Sequence, residues 1–523
     1  MTSKLKLFIA VWFSCFLLSP ALSARNKFKT DTVTLISFND FHGYFVQDGV
    51  APGASALVQS VLDEKATSPH AFVVSAGDNF SGSFFSKITK GEPLSDMFRL
   101  MGVTVSAVGN HEFDWGKEYL QTNSKPDMTY IASNIEAEED CGKSWLPAYK
   151  ILSCTLKNGA PFRIAFIGLT TVETQYKTSA ENVVGLRFEH PYAAAAIQLA
   201  YHLKKEGKID MVVLLCHLGT DMETPACFQE CNTKMLPYME GVDAIITGHS
   251  HRVVLDKING VPIIQAGSYG RYIGKLQFKI SPIRKSDAFR VEYIGGDTIK
   301  TDRGKRHVEM EQLVDKYRKK YSFDEILTCA EDDLLRSGRT YSTMGGLVTA
   351  SYVEYFKKNM PADSCSLPLI GVNHAGGIRN DLYKGTVNRL EAANILPFAG
   401  QVVAFRFTGK MLKKLLDDGW NNPNGRLQAC HLTVHMDGNS VRAVEYVTGG
   451  ESRIIEDEEE CIVVLDDYIT DGGDQYDSSL FVRPVLSFNE KNFVTTDAFI
   501  DYLKSKPVIH RSDVPVPNII RTE

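Results

Sequence analysis

The stretch VTVSAVGNHEFDWG, residues 103–116, runs an apolar, β-branched segment straight into an amide, an imidazole and two carboxylates, namely Asn110, His111, Glu112 and Asp114. Polar side chains gathered at the end of a buried strand cost free energy unless something satisfies them, and a metal ion or a reacting substrate is the usual partner. A hydrogen-bonded turn is the plainer explanation, and the rest of the chain has to decide. The same unit recurs: TVTLISF (32–38), AFVVSAG (71–77), FRIAFIG (162–168), MVVLLC (211–216) and DAIITG (243–248) are short apolar runs that lead into polar turns. Helix-like stretches such as PYAAAAIQLAYHLKKEG (191–207) lie between them. Strands alternating with helices predict an α/β domain with buried sheets, in which ligands bind outside the C-terminal ends of the strands.

Five of these runs end in metal-capable residues: Asp40 and His42 in FNDFHG, Asp78 in GDN, Asn110 and His111 in GNHEFD, His217 in CHLG, and His249 and His251 in GHSH. One such ending is commonplace, whereas five at the same end of the strands are hard to explain as caps. The donors are carboxylate, imidazole and amide oxygen, without paired thiolates. That set suits Zn, Mn, Fe, Co or Mg in an open catalytic site and not a closed, cysteine-rich structural zinc. Six or seven ligands exceed the needs of one tetrahedral ion, but two divalent metal ions about 3.5–4 Å apart and sharing a carboxylate would use them all. His111 sits beside Asn110 on a tight turn and points elsewhere. Asp114, three residues on, would orient its ring and stabilise the protonated form. Glu112 reads as support for this turn.

In this order and spacing, the motifs DxH, GDN, GNHEFD, H and GHSH resemble the calcineurin-like metallophosphoesterases, and the spellings FNDFHG and GNHEFDWG look like the 5′-nucleotidase branch. The resemblance runs from residue 33 to about 280. It implies a four-layer α-β-β-α sandwich. It also implies that Asp40, His42 and His251 hold one metal, that Asn110, His217 and His249 hold the other, that Asp78 bridges them, and that His111 acts near the scissile phosphoryl group. His251 stands where nucleotidases often carry an amide side chain, while matching the GHxH of the wider superfamily.

Three later segments bear on the substrate. VNHAGGIRNDL (372–382) places Arg379 after a Gly-Gly turn, which suits backbone approach to an anion and a charge-assisted phosphate contact. ILPFAG (395–400) sets Phe398 before a strand, and LDDYITDGGDQY (465–476) follows a strand with Tyr468 and Asp474. Two aromatics on separate loops would sandwich a flat base, and Asp474 would accept hydrogen bonds from sugar hydroxyls. In order, these segments resemble the 5′-nucleotidase C-terminal domain, which implies Arg379 on phosphate, Phe398 and Tyr468 around the base, and Asp474 on the ribose. The family's Asn five residues before this Arg falls on His374, with Asn373 displaced by one. Tyr468 replaces the more usual Phe and adds a hydroxyl. A further family Arg has no clean counterpart near TYSTMGGL (340–347), where Arg336 and Arg339 lie upstream.

Length and composition frame the rest. A chain of 523 residues is too long for one core. Residues 1–24 have the charged, apolar, small-residue order of a secretory signal peptide: Lys4 and Lys6, then FIAVWFSCFLL (8–18), then SPALSA (19–24). Its removal takes the formal net charge from −6 to −8. No basic run points to a nucleic-acid polymer, and no later segment is long and apolar enough for a membrane anchor. Residues 25–303 are expected to form the metallophosphoesterase domain. GKRHVEMEQLVDKYRKKYSFDEIL (304–327) reads as an amphipathic linker helix, and residues 328–523 as a second, smaller α/β domain that binds nucleotide. Of ten cysteines, Cys15 leaves with the signal; Cys141/Cys154 and Cys227/Cys231 are spaced as loop staples, and Cys216 reads as a buried free thiol. The sequence therefore predicts an exported, periplasmic or secreted, dinuclear-metal phosphohydrolase. Its small-molecule substrates would be nucleoside 5′-monophosphates, with nucleotide sugars or polyphosphates beside them, cleaved by metal-activated hydroxide. Alternatives are 2′,3′-cyclic phosphodiesterase/3′-nucleotidase or nucleotide-sugar hydrolysis on the same scaffold, or a non-catalytic nucleotide-binding protein.

Overall fold

The computed structural model describes residues 29–522 apart from 124–127, 140–143, 190–193, 207–208, 220–239, 285, 399 and 424. The segment read as a signal peptide, and Cys141, Cys227 and Cys231, lie outside the described residues. The six described cysteines are all free thiols, and Cys216 is fully buried. Among the described residues no helix is long and apolar enough to cross a membrane. The chain divides into two compact units, one of the described residues up to Ser81 with Gly91–Gln312, the other of Gly82–Lys90 with Leu313–Glu523.

Two six-stranded sheets form the first unit. In chain order the strands are β1 (Asp31–Phe38), β2 (Ala71–Ser75), β3 (Val103–Ala107), β4 (Thr129–Ile131), β5 (Tyr149–Thr155), β6 (Pro161–Thr170), β7 (Met211–His217), β8 (Ala244–Thr247), β9 (Val253–Ile258), β10 (Val261–Ala266), β11 (Tyr272–Pro282) and β12 (Phe289–Lys300). One sheet is ordered β12-β11-β1-β2-β3-β4 and the other β9-β10-β8-β7-β6-β5. Each is parallel at its centre, as β1/β2/β3/β4 and β6/β7/β8/β10, and antiparallel at its hairpins. Parallel strands bury both faces, which is why β7 reads as an unbroken apolar run and all seven of its residues are buried. Alternation along β6 separates the layers. Ile164 and Phe166 join Val33, Leu35, Val74, Val105 and Phe278 in the core shared by the two sheets. Ala165, Ile167 and Leu169 face outward beneath Ala200 and Leu203 of the helix α2 (Ala194–Lys205). The predicted α/β class and layered sheets are what the unit shows, and every metal-capable motif lies at the C-terminal end of a strand or just beyond it.

The second unit is built on a four-stranded mixed sheet of β13 (Leu369–Asn373), β14 (Val402–Thr408), β15 (Gln428–Ala429) and β16 (Glu460–Asp466), in the order β14-β16-β13-β15. The helix α5 (Gly409–Asn421), N-capped by Thr408 through Met411 N–H, buries Leu412, Leu415, Leu416 and Trp420 against that sheet. Within the segment read as a linker, the helix α3 (Val308–Lys320) forms from its amphipathic pattern. The second unit also takes in nine residues from the first half of the sequence. The short helix α1 (Phe84–Thr89), N-capped by Ser83, presents Phe85 to Tyr317 and Phe323 at ring separations of 6.1 and 5.4 Å. Phe84 N–H donates to Asn394 Oδ1 at 2.9 Å, just after α4 (Arg389–Ala393). Nothing in the sequence marked this segment as leaving the first unit.

Candidate functional site

At the strand ends of the first unit the backbone adopts conformations that side-chain-bearing residues rarely accept. Five of the seven candidate ligands have positive φ: Asp40 (50°), His42 (52°), Asp78 (55°), His249 (76°) and His251 (56°). Left-handed backbone at non-glycine positions persists only where surrounding contacts hold it, and it clusters at functional sites. Close approach of the loops explains their glycines. A Cβ at Gly109 would lie 2.1 Å from Asp78 Oδ1, and one at Gly77 would lie 2.8 Å from Gly109 N and 2.9 Å from His217 Nδ1.

The side chains converge in two sets. Asp40, His42 and His251 form one, and Asp78, His217 and His249 the other, with ligand atoms in each within 4.8 Å of one another; a third grouping joins His42 and Asp78 to His111. His251 Nε2 is 3.2 Å from Asp40 Oδ1, His217 Nε2 is 3.0 Å from Asp78 Oδ2, and His42 Nε2 is 3.0 Å from His251 Nε2. Asp40, His42, Asp78, Asn110 and His217 are all buried. Burial alone would raise both carboxyls, but His251 beside Asp40 and His217 beside Asp78 hold them below the usual carboxylate range. Burial likewise keeps His42 well below the ordinary imidazole value, and so neutral with a lone pair to offer. His217 goes the other way: burial lowers it, yet the charges of Asp78 and Asp40 push it up to about 9. Two buried polar atoms, Asn110 Oδ1 and His217 Nε2, make no well-formed hydrogen bond among the described residues. Orphaned donor atoms of this type, facing paired carboxylates, fit a pair of divalent cations.

Further contacts fix these donors. His42 Nδ1 meets Ser81 O and His217 Nδ1 meets Ala76 O, both at 2.7 Å, so each ring directs its Nε2 inward. Glu112 is buried at the junction of two motif loops. Its Oε2 accepts the N–H groups of Asp78 (2.7 Å) and Gly109 (2.6 Å), and its Oε1 accepts that of Asn79 (2.6 Å). Burial and the nearby Asp78 push its carboxyl up to about 7. His111 N–H donates to Asp78 Oδ1 at 2.9 Å, and His111 Nδ1 lies 2.8 Å from Asp114 Oδ2. Thr178 and Asn182 hold Asp114 in turn, at 3.2 Å each. The His111 ring stands 5.0 Å from that of His42.

Two residues here escaped the sequence reading. Glu173 Oε2 contacts His249 Nε2 at 3.0 Å, and this contact holds the Glu173 carboxyl low. Tyr269 lays its ring 5.3 Å from His251 and 5.7 Å from His42. The available signal was position: Glu173 follows β6 and Tyr269 follows β10, at the same strand ends as the motifs.

In the second unit, Arg379 lies over the Phe398 ring, 5.4 Å from its centroid, and Lys87 Nζ donates to Phe398 O. Tyr468 sits on the short helix α6 (Asp467–Thr470) and stacks on His374 at 4.5 Å and 28°. His374 Nδ1 is 3.6 Å from Asp474 Oδ2. Asp466 caps α6 through Tyr468 N–H at 2.9 Å, and Asp467 Oδ1 accepts Gln401 N–H at 2.9 Å. Burial raises both carboxyls of this adjacent pair, and the charge of Asp466 adds to burial in pushing Asp467 up to about 7. Arg336 donates to Asp381 and, at 3.2 Å, to Ile378 O, and it lines a cavity of about 250 Å³ with Ser342, Ala375 and Ile378. Arg339 is exposed, and its carbonyl is held by Arg426.

Paired strand-end carboxylates and imidazoles between two packed sheets define a dinuclear phosphoesterase domain, and the calcineurin-like phosphoesterase family matches residues 33–253. The 5′-nucleotidase C-terminal domain matches residues 328–480. With most of its length accounted for by this domain pair, the chain belongs to the 5′-nucleotidase family. It is 24% identical to a 5′-nucleotidase of Vibrio cholerae, over 72% of this chain and 73% of that one. It is 25% identical to endonuclease YhcR of Bacillus subtilis, over 73% of this chain, and spans 32% of that longer protein. The crystal structure of a 5′-nucleotidase precursor from Thermus thermophilus has the same fold, with a TM-score of 0.71 and 22% identity over 94% of this chain and 99% of that one.

Proposed function

We propose that the protein is an exported 5′-nucleotidase that hydrolyses nucleoside 5′-monophosphates to nucleoside and phosphate, with nucleotide sugars or polyphosphates as further substrates. The observation that carries this reading is the meeting of two donor sets, Asp40/His42/His251 and Asp78/His217/His249, with His111 grouped at the same carboxylate, Asp78. Asp40, His42 and His251 would hold one divalent ion, and Asn110, His217 and His249 the other, with Asp78 shared. Bound there, two such ions activate water and neutralise phosphoryl charge.

The chain's own residues do the rest. With Nδ1 committed to Asp114, His111 would direct Nε2 to the phosphoryl oxygens, and Asp114 favours the cationic ring as negative charge develops on them. The backbone N–H of His111 donates to Asp78, which ties the turn that carries the ring to the shared carboxylate. In the second unit the guanidinium of Arg379 is suited to phosphate, Phe398 and Tyr468 to the base, and Asp474 with His374 to the remaining polar edge of the nucleoside. Arg336, pinned at the turn before Arg379, is the better candidate than Arg339 for a second phosphate contact.

Export rests on residues 1–24, and the staple Cys227/Cys231 belongs to that same reading, whereas Cys154, expected to pair with Cys141, is a free thiol. The direct test is phosphate release from AMP, ADP, UDP-glucose, 3′-AMP and 2′,3′-cyclic AMP with added Mn²⁺, Zn²⁺ or Mg²⁺. AMP is expected to lead the panel. No release from AMP with any metal would refute the assignment, and preference for the 3′ or cyclic ester would move it to the sister activity.

A further inference from the structure

The imidazoles of the first unit are not anchored alike. His42 and His217 rest their Nδ1 atoms on backbone carbonyls, those of Ser81 and Ala76. His249 is turned the other way: its Nε2 lies 3.0 Å from Glu173 Oε2, which leaves Nδ1 as its ligand atom in the group with Asp78 and His217. Its anchor is a charged side chain from another strand end, and the backbone beneath that side chain is itself pinned. Glu173 N–H donates to Thr171 Oγ1 at 3.1 Å, and Glu173 O accepts the N–H groups of Tyr176 (3.0 Å) and Lys177 (2.9 Å) in the four-residue helix Thr174–Lys177. Thr171 is fully buried just where β6 ends. On the opposite side, His249 N–H donates to Asp40 Oδ2 at 3.0 Å, so backbone and ring of His249 are each held by a carboxylate. Farther along the same segment, Thr178 and Asn182 hold Asp114, the partner of His111. One stretch after β6 thus reaches a candidate metal ligand and the His111 pair through different side chains.

We infer that Glu173 is a positioning residue for one of the two metal sites: by holding His249 at Nε2 it aims Nδ1 at the ion shared with Asn110 and His217, and so sets the affinity for that ion and not for its neighbour. A carboxylate acceptor fixes the tautomer with the proton on Nε2, fixes the plane of the ring, and makes the other nitrogen a stronger donor. A backbone carbonyl fixes tautomer and plane as well, but it carries no net charge. The His249 site therefore gains donor strength that His42 and His217 do not receive from their anchors. Without Glu173 the ring keeps its place in the chain but loses the contact that orients it. Thr178 provides the contrast, because it stands on the same segment and reaches Asp114 instead. The inference rests on the dinuclear reading of the first unit and names a residue outside the ligand set that this reading requires.

The test uses the full chain, stripped of metal by chelation and titrated with Zn²⁺ against a chromophoric chelator, so that binding and not turnover is read. The native protein is expected to take up two ions. Glu173→Ala is expected to weaken one of them by about 10–100-fold and to leave the other near its native affinity. Glu173→Gln keeps an acceptor for Nε2–H without the charge; it is expected to recover part of that loss, and it carries the test if Glu173→Ala fails to fold. Thr178→Val is expected to lower kcat for AMP with both ions bound as tightly as in the native protein. The urea unfolding midpoint of the metal-free protein is expected to be no lower in the Glu173 variants, which separates positioning from general damage. Native affinity for both ions in the Glu173 variants, equal loss at both ions, the same loss in Thr178→Val, or a lowered midpoint would each overturn the inference while leaving the metal pair intact. Uptake of fewer than two ions by the native protein would instead remove the dinuclear reading.

Discussion

The two candidate constellations are held in place by different means. In the first unit the backbone does the positioning: five candidate ligands sit at positive φ, and one buried carboxylate, Glu112, gathers N–H groups from two motif loops. In the second unit, side chains position one another, Arg379 against Phe398 and His374 against Tyr468. A metal pair demands donors fixed to a fraction of an ångström, which backbone contacts supply. A nucleoside pocket tolerates more play, because stacking varies slowly with distance. The first arrangement should therefore fail abruptly when altered, and the second by degrees.

The sharpest break is expected at His111. His111→Ala should lower kcat for AMP by about 10²–10⁴-fold while bound metal, counted by elemental analysis, stays unchanged. Loss of metal along with activity would make His111 part of the scaffold. Next is Glu112→Ala, which leaves three buried N–H donors without an acceptor and should cost about 3 kcal/mol or more in urea unfolding. Phe398→Ala should be milder: KM for AMP up about tenfold, kcat and unfolding midpoint nearly unchanged. A stability loss as large as that of Glu112→Ala would erase the contrast between the units.

The last break concerns pH. Asp467 keeps its proton in the folded protein up to about 7, whereas an unfolded aspartate releases it near 3.8. Its contribution is therefore fully present below 3.8, declines as pH rises towards 7, and is constant above. Asp467→Asn cannot ionise and retains the oxygen that accepts Gln401 N–H, so its melting temperature should gain on the native protein across that window. A difference independent of pH would mean the pair does not hold its proton.

The contrast also governs what the sequence could disclose. Asp40, His42, Asp78, Asn110, His111, His217, His249 and His251 were legible because each stands at the end of an apolar run, so that local pattern and three-dimensional position coincide. The α/β class followed from the same runs. Glu173 and Tyr269 were not legible, because they reach the histidines from loops with no recognisable spelling. Phe398 and Tyr468 were singled out from their loops as the two sides of a sandwich, while the guanidinium of Arg379 over Phe398 and the imidazole of His374 on Tyr468 are pairings that depend on tertiary packing and leave no local signature. The Gly-Gly of HAGGIR, read as a flexible turn, is instead clearance for His374 and for the space before it.

The nine residues Gly82–Lys90 bear on how this chain can be divided. They lie within the stretch matched as a phosphoesterase, yet Phe84, Phe85 and Lys87 pack with Asn394, Phe323 and Phe398. A fragment begun at residue 313 would expose apolar surface that Phe85 normally covers and lose the ammonium that holds the Phe398 loop. The boundary a gene designer would choose from the linker helix is therefore not a clean one. To be expressed separately, the C-terminal half would need α1 grafted back onto it, and any exchange of halves between relatives would have to carry that helix along with the partner it serves.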